Sequence, residues 1–349
     1  MSQGAAGAPQ AAAPAPHDAA APATAAGKLA RYPRVSLVLE PTPLHLAPRL
    51  SRELGARILL KRDDLAGVGL GGNKLRGLEY ILADALGQGC DCLVTGAGPQ
   101  SNWTMLAALA CLRHDIEPHV VCYGTSAASE GNMRLHRWLG VDVRFTGVQD
   151  RSSVDAGIEA TAAELRAGGR RPYVVPRGGA TALGALGYVR ASIELADQLS
   201  GHRDQPSAVW TATGSCGTQA GLVAGAALTG ASHTVVGVTV SRPAAEAAQR
   251  VRALAAGAMT LLAADAQPTP PAVLDGWIGP GYGTPSPEGT AAARLVAAAE
   301  GVFLDPVFGA KAMAALVARC RACQVRGTQV FLVSGGAPTL FTGSPEGAW

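Results

Sequence analysis

Ile58-Leu59-Leu60-Lys61 runs through Asp63-Asp64 into Gly67-Val68-Gly69-Leu70-Gly71-Gly72-Asn73-Lys74-Leu75-Arg76. A short apolar run, a glycine-rich loop and a leucine-rich stretch opening at residue 74 read as strand, turn and helix. The same grammar continues down the chain. Strands are predicted at 57–61, 92–96, 119–123, 142–145, 173–176, 208–211, 234–240, 302–304 and 329–333. Helices are predicted at 74–87, 102–113, 127–139, 154–167, 183–199, 218–229, 243–255, 287–299 and 310–321. Alternation of this kind means βαβ units, hence an α/β fold of mostly parallel sheets with helices on both faces.

Composition agrees. The chain has 349 residues, 48% of them hydrophobic and only 5% aromatic, with 44 glycines. That length suggests two domains, and the glycine content suits many tight strand-to-helix turns better than an all-β sandwich. The net charge of +3 is gathered into no block, which argues against a nucleic-acid binder. No run approaches the ~20 apolar residues of a membrane span. Residues 1–27 are Ala, Pro, Gly and small polar residues with no Leu, Ile, Val or Phe. Such a stretch cannot bury enough apolar surface to order itself, so a disordered tail is expected over about residues 1–30. It also lacks the marks of a secretory or organelle leader, which suggests a cytoplasmic protein. The seven cysteines (90, 92, 111, 122, 216, 320 and 323) form no metal-binding set, because the pairs 90/92 and 320/323 lack second ligand pairs. Buried, reduced thiols are the expectation.

Ligands of open α/β sheets sit beyond the carboxyl ends of strands, where loops open toward helix N-termini. Four such loops carry polar chemistry. The glycine loop at 67–72 contains GxGxxG, but Asp63 and Asp64 stand between strand and glycines, and no acidic residue ends the next strand to hold a ribose. The sequence disfavours a dinucleotide site, and a P-loop further still. What remains is Lys74, one of only four lysines among 29 basic residues. Arginine stays protonated, whereas lysine can lose its proton when desolvated and form a Schiff base. Taken alone, Lys74 suits a surface position equally well; the other loops decide.

The second loop ends in Gln100-Ser101-Asn102, a neutral anion cradle at a helix start that suits a substrate carboxylate. The third, Thr213-Gly214-Ser215-Cys216-Gly217-Thr218, lets backbone N–H groups approach an anion closely. It lacks the lysine of a triphosphate site, so a single phosphate monoester is its natural guest. The fourth places Ser334 at the end of the strand at 329–333, before Gly335-Gly336. A lysine, a carboxylate cradle, a monoester site and a hydroxyl at a fourth strand end suit pyridoxal 5′-phosphate acting on an amino acid.

Six motifs in order carry a resemblance over residues 32–342. They are Gly72-Asn73-Lys74-Leu75-Arg76-Gly77-Leu78-Glu79-Tyr80, Gln100-Ser101-Asn102, Gly184-Ala185-Leu186-Gly187-Tyr188, Gly279-Pro280-Gly281-Tyr282-Gly283, Asp305-Pro306-Val307-Phe308 and Ser334-Gly335-Gly336-Ala337-Pro338. The chain resembles the D-cysteine desulfhydrase and 1-aminocyclopropane-1-carboxylate deaminase family, pyridoxal-phosphate enzymes of fold type II, the tryptophan-synthase β fold. The resemblance implies that Lys74 carries the cofactor as a Schiff base and that Asn102 meets its 3′-oxygen. It further implies that Ser334 faces its ring nitrogen and that 213–218 hold its phosphate. Gln100 and Ser101 are implied to receive the substrate carboxylate, with Tyr282 beside ring and substrate and Trp103 next to the cradle. Lys74, Ser101 and Tyr282 are the implied catalytic groups. The resemblance also implies a homodimer, and a small domain at 81–189 set between the halves (31–80 and 190–349) of a large one.

Deaminases of that family typically carry Glu before the tyrosine and Leu before the final glycine pair. Here those places hold Gly281 and Ser334, as in the desulfhydrase branch. The activity implied is α,β-elimination from a small, D-cysteine-like amino acid, giving a 2-oxo acid and ammonia. β-Replacement, racemisation or a non-catalytic nucleotide-binding role are the alternatives. Four residues depart from the pattern: Gly77 for a basic residue, Trp103 for a smaller one, Met105 for Arg, and Phe308 for Tyr. These changes suggest a substrate more apolar than D-cysteine or differently shaped.

Overall fold

The computed structural model describes residues 24–201 and 205–343. Along the chain run α1 (Ala25–Leu29), β1 (Leu44–Leu46), α2 (Pro48–Leu54), β2 (Arg57–Arg62), α3 (Lys74–Gly87), β3 (Cys92–Ala97), α4 (Asn102–Leu112), β4 (Glu117–Cys122), α5 (Gly131–Trp138), β5 (Asp142–Phe145), α6 (Ser153–Ala167) and β6 (Pro172–Val174). There follow α7 (Ala182–Leu199), β7 (Pro206–Thr213), α8 (Gly217–Thr229), β8 (Thr234–Thr239), α9 (Ala244–Leu261), β9 (Ala272–Leu274), α10 (Pro287–Glu300), α11 (Gly309–Arg321) and β10 (Thr328–Val333).

Two sheets result. The larger has the order β1-β2-β10-β7-β8-β9 and the smaller β5-β4-β3-β6. Every pairing is parallel except β1 with β2. The smaller sheet is built from residues that lie in sequence between β2 and β7. Central strands such as β10 and β3 are buried along their whole length, as parallel strands covered on both faces must be. Among the described residues no helix is long and apolar enough to cross a membrane.

Several expectations need correction. Residues 1–23 of the expected tail lie outside the described residues, but residues 24–30 are ordered. Thr24 caps α1, Leu29 is buried, and the Lys28 ammonium donates to the carbonyls of Leu262 and Ala263 beyond α9. The Tyr32 hydroxyl donates to the Leu261 carbonyl. A composition rule cannot see that two long side chains grip a helix end some 230 residues away. The strand expected at 302–304 is absent. Val302 and Leu304 are buried while Phe303 is exposed, so the in–out alternation is real but the segment joins no ladder. The short β1 and β9 went unread, because three-residue edge strands carry little periodicity, and α9 runs six residues past its expected end at 255. The helix expected from residue 127 begins at Gly131.

The larger sheet meets α3 and α7 through a buried ionic cluster. Asp63, fully buried, accepts two hydrogen bonds from Arg76, at 2.8 and 2.9 Å, and one from the Tyr188 hydroxyl at 2.5 Å. Arg76 also reaches Glu194 at 3.0 Å, and Lys61 pairs with the same carboxylate. Burial works against the Asp63 charge, yet Arg76 and Tyr188 hold its carboxyl below the usual range. Glycines bring the helices together: a Cβ at Gly77 would lie 2.9 Å from the Gly184 carbonyl, and one at Gly187 would strike the Arg76 carbonyl. Gly77 is thus a helix-crossing residue. Removing one partner of a buried, hydrogen-bonded charge pair typically costs about 3–5 kcal/mol. Asp63→Ala should lower the unfolding free energy by about that much, read as a drop in the urea midpoint. A loss under about 1 kcal/mol would show that Glu194 alone suffices for Arg76.

Candidate active site

Lys74 is the first residue of α3, and Asn73 before it fastens two other strand ends beside it. The Asn73 N–H donates to the Ser334 carbonyl at 2.9 Å, and its side-chain amide donates to the Thr218 hydroxyl at 2.9 Å. The loops after β2, β7 and β10 therefore converge on one lysine. Gly72 (φ 131°) and Gly335 (φ 83°) let two of these backbones touch, since a Cβ at Gly335 would lie 2.7 Å from the Gly72 Cα.

Lys74 opens on a cavity of about 470 Å³ lined also by Ser101, Asn102, Trp103, Gly214, Ser215, Tyr282 and Ser334. Burial lowers its ammonium to about 8, against the pull of Cys216 and Asp305. Asp305 is itself raised to about 6 by burial, although the N–H groups of Gly309, Phe308 and Val307 favour its charged form. It caps the start of α11 through those bonds, at 2.6 to 3.1 Å.

Ser101 caps α4 by accepting from the N–H groups of Trp103 and Thr104. Two N–H donors on one hydroxyl oxygen leave its own proton free to donate into the cavity. The Asn102 amide oxygen accepts from the Asn132 side chain at 2.8 Å, which leaves the Asn102 NH₂ free of that bond. Gln100 is not brought to the cavity. Its amide oxygen accepts from the Asn132 N–H at 2.8 Å and its NH₂ donates to the Glu130 carbonyl at 3.1 Å, so it ties α4 to α5.

In the loop after β7, Gly214 and Ser215 face the cavity. Thr213 turns away and donates to Gln219 at 2.8 Å. Cys216 is buried in a left-handed conformation (φ 78°) at the start of α8. Gly217 and Thr218 line a small cleft that continues beneath Lys74. A helix N-terminus with small residues at its mouth favours an anion. The sequence did not single out Arg242 and Arg250, which also line the cavity here. Arg250 donates to the Ser215 carbonyl at 3.2 Å, and the buried Arg242 Nε has no hydrogen-bond partner among the described residues.

Tyr282 packs edge-on against Phe308, with ring centroids 6.2 Å apart. Buried Lys311 donates to the carbonyls of Ile278 and Gly281, at 2.6 and 3.0 Å, and so tethers the irregular segment that carries the tyrosine. Burial raises the Tyr282 hydroxyl, with Arg151 working the other way. Tyr123, Arg151 and Arg177 line the same cavity and also went unread. Three of the missed arginines follow strand ends: Arg151 after β5, Arg177 after β6 and Arg242 after β8. The strand-end rule would have reached them had charged residues been weighed with hydroxyls. Of the four departures, Trp103 and Phe308 reach the main cavity. Met105 is buried in the core and Gly77 faces α7. The Trp103 indole N–H is bonded to Thr95 at 2.8 Å, so only apolar ring surface is on offer. Among the described residues no group of His, Cys, Asp or Glu could hold a metal ion. The thiols are all free, but Cys323 is exposed and Cys90 half-buried, not interior as expected.

A family model for pyridoxal-phosphate dependent enzymes matches residues 35–335. The chain belongs to that family. D-cysteine desulfhydrase of Klebsiella pneumoniae is 39% identical over 328 residues, covering 91% of this chain and 98% of that protein. A putative 1-aminocyclopropane-1-carboxylate deaminase of Pyrococcus abyssi is 35% identical over 313 residues, covering 90% and 94%. The crystal structure of an ACC deaminase homologue superposes with a TM-score of 0.86 at 34% identity, over 91% of this chain and 96% of that one. Threonine deaminase from Solanum lycopersicum shares the fold at 20% identity, with a TM-score of 0.65. The pyridoxal-phosphate enzyme is thus of the fold type II architecture.

Behind the cradle, buried His136 lies 3.3 Å from the Thr104 hydroxyl with its other ring nitrogen unpartnered. Burial lowers it to about 4. The unfolded chain takes up this proton near pH 6.5, so the contribution to stability is complete above that pH. It falls as the pH drops toward 4, by about 2 kcal/mol at pH 5. Urea midpoints at pH 7 and pH 5 should therefore differ by less in His136→Leu than in the parent. An unchanged difference would place the acid sensitivity elsewhere.

Proposed function

We propose that the enzyme catalyses α,β-elimination from a small β-substituted amino acid of the D-cysteine type, releasing a 2-oxo acid and ammonia. The observation that carries this reading is the position of Lys74. Its amine, lowered to about 8, opens on a cavity whose walls include both the Ser101 hydroxyl and the mouth of α8.

The residues present fit pyridoxal phosphate. Gly214, Ser215 and the start of α8 would hold the phosphate, and the unpartnered Arg242 Nε is a donor in want of such an oxygen. Asn102 would meet the 3′-oxygen and Ser334 the ring nitrogen. Bound there, the cofactor supplies a conjugated ring that accepts the electron pair released at the substrate's α-carbon. A hydroxyl at the ring nitrogen, in place of a carboxylate, makes that ring a weaker electron sink and suits prompt loss of a good leaving group.

The chain's own groups do the rest. Ser101 donates its free proton to the substrate carboxylate, and Trp103 closes one side with apolar surface. Lys74 Nζ, lowered by burial to about 8, gives up its proton more readily than an ordinary lysine and can take the α-proton, for which placement matters as much as basicity. Ser101 is the candidate on the other face. Tyr282, tethered through Lys311, covers substrate and ring. We further propose that residues 81–189 form a small domain set between the halves, 31–80 and 190–349, of a large one, and that the enzyme works as a homodimer in the cytoplasm.

Lys74→Ala should leave the protein without the visible absorbance that the parent develops with pyridoxal phosphate. Release of 2-oxo acid from D-cysteine or β-chloroalanine should fall at least about a thousandfold. Retention of both absorbance and turnover in that variant would remove Lys74 from its assigned role.

A further inference from the structure

Four arginines line the cavity, and three of them have local partners. Arg177 pairs with Asp155 at 3.0 Å, Arg242 with Glu246 at 3.0 Å, and Arg250 bonds the Ser215 carbonyl. Arg151 is different. Among the described residues its guanidinium has no ion pair and no hydrogen bond, and its Cζ lies over the Tyr282 ring, 3.9 Å from the centroid. Its backbone is held, because the Arg151 carbonyl accepts from Arg177 at 2.5 Å. A guanidinium stacked on an aromatic face keeps all its N–H groups in a plane and available at the edge. The acids lining this cavity, Asp155 and Glu246, are already engaged.

Charge is thus presented to something that enters. The cofactor's phosphate has α8, Arg242 and Arg250, and the substrate's α-carboxylate has Ser101. A thiol substituent is neutral in the bound substrate and offers a guanidinium no pair of oxygens to bind. A planar fork of donors matches two oxygens of one oxyanion. We propose that Arg151, seated on Tyr282, selects β-substituted alanines whose substituent departs as an oxyanion of sulfur or phosphorus. This deepens the elimination reading and rests on it, and it replaces the expectation of a more apolar substrate. For a β-sulfonate, the α-proton is removed as the Cα–H electron pair forms the Cα=Cβ bond. The Cβ–S bond breaks and its pair leaves with sulfite. The enamine then takes up one water to give the 2-oxo acid and ammonia, and no oxidant or reductant is needed.

The test uses the holoenzyme with cysteate, O-phosphoserine and neutral β-chloroalanine, each as both enantiomers. Arg151→Met should lower kcat/KM for the anionic substrates about 30- to 100-fold, the scale of a charged hydrogen bond. For β-chloroalanine the loss should stay within about threefold, and Arg151→Lys should recover part of the anionic activity. Equal losses on both substrate types overturn the proposal, as does turnover of β-chloroalanine with neither anionic compound consumed. A second readout needs no elimination. Aspartate should perturb the cofactor absorbance at roughly tenfold lower concentration than alanine in the parent, and this advantage should vanish in Arg151→Met. Equal affinities in the parent sink the role of Arg151 even if elimination is proven. Absence of all turnover with the aspartate preference intact sinks the elimination reading alone.

Discussion

The bidentate contact between Asp63 and Arg76 governs where everything else in this molecule can sit. Asp63 follows the end of β2, Arg76 lies in the first turn of α3, and Tyr188 and Glu194 bring α7 to the same point. A strand end and two helices are therefore locked within one turn of Lys74. Two features make the lock strict. The charges are buried, so a partial fit leaves a desolvated ion without compensation. The helix crossing is closed by glycines at 77 and 187, so α7 cannot slide without backbone meeting backbone. The lysine is placed by rigid elements, whereas Tyr282 is carried on irregular chain.

This also explains why the site's polar groups work as a set. Asn73 uses both its backbone N–H and its side-chain amide to hold two neighbouring loops. Asn132 uses its backbone N–H and side chain to hold Gln100 and Asn102. Neither asparagine has a part in the proposed chemistry. Both are connectors, and each sets the direction in which another group's free donor points.

Much of this was legible in the sequence because it is local. Parallel strands buried on both faces announce themselves as short apolar runs, and each strand-to-helix turn leaves small or capping residues at a fixed offset. Lys74, Ser101, Asn102, Gly214 and Ser215 were found that way, and the same rule placed Ser334 at the end of β10. What could not be read depends on distant partners. Gln100 looked like part of an anion cradle until a helix 30 residues downstream supplied both its bonds. Asp63 looked like a repulsive charge beside a glycine loop until Arg76 and Tyr188 enclosed it. The segment at 302–304 alternates as a strand does, yet alternation records only which side is dry, not whether a neighbour offers a ladder. Three of the cavity arginines, Arg151, Arg177 and Arg242, belong to loops after β5, β6 and β8, and Arg250 to α9; only the assembled fold gives the four a common focus.

Lys28 and Tyr32 have a longer reach than their position suggests. Lys28 and Tyr32 take hold of the last carbonyls around the end of α9, and that helix bears Arg250, whose guanidinium steadies Ser215. A brace at residues 28–32 is thereby joined, through a rod of five turns, to the wall lined by Ser215. Trimming the chain back past this brace would be felt as slack at the anion end of the cleft, far from the cut itself.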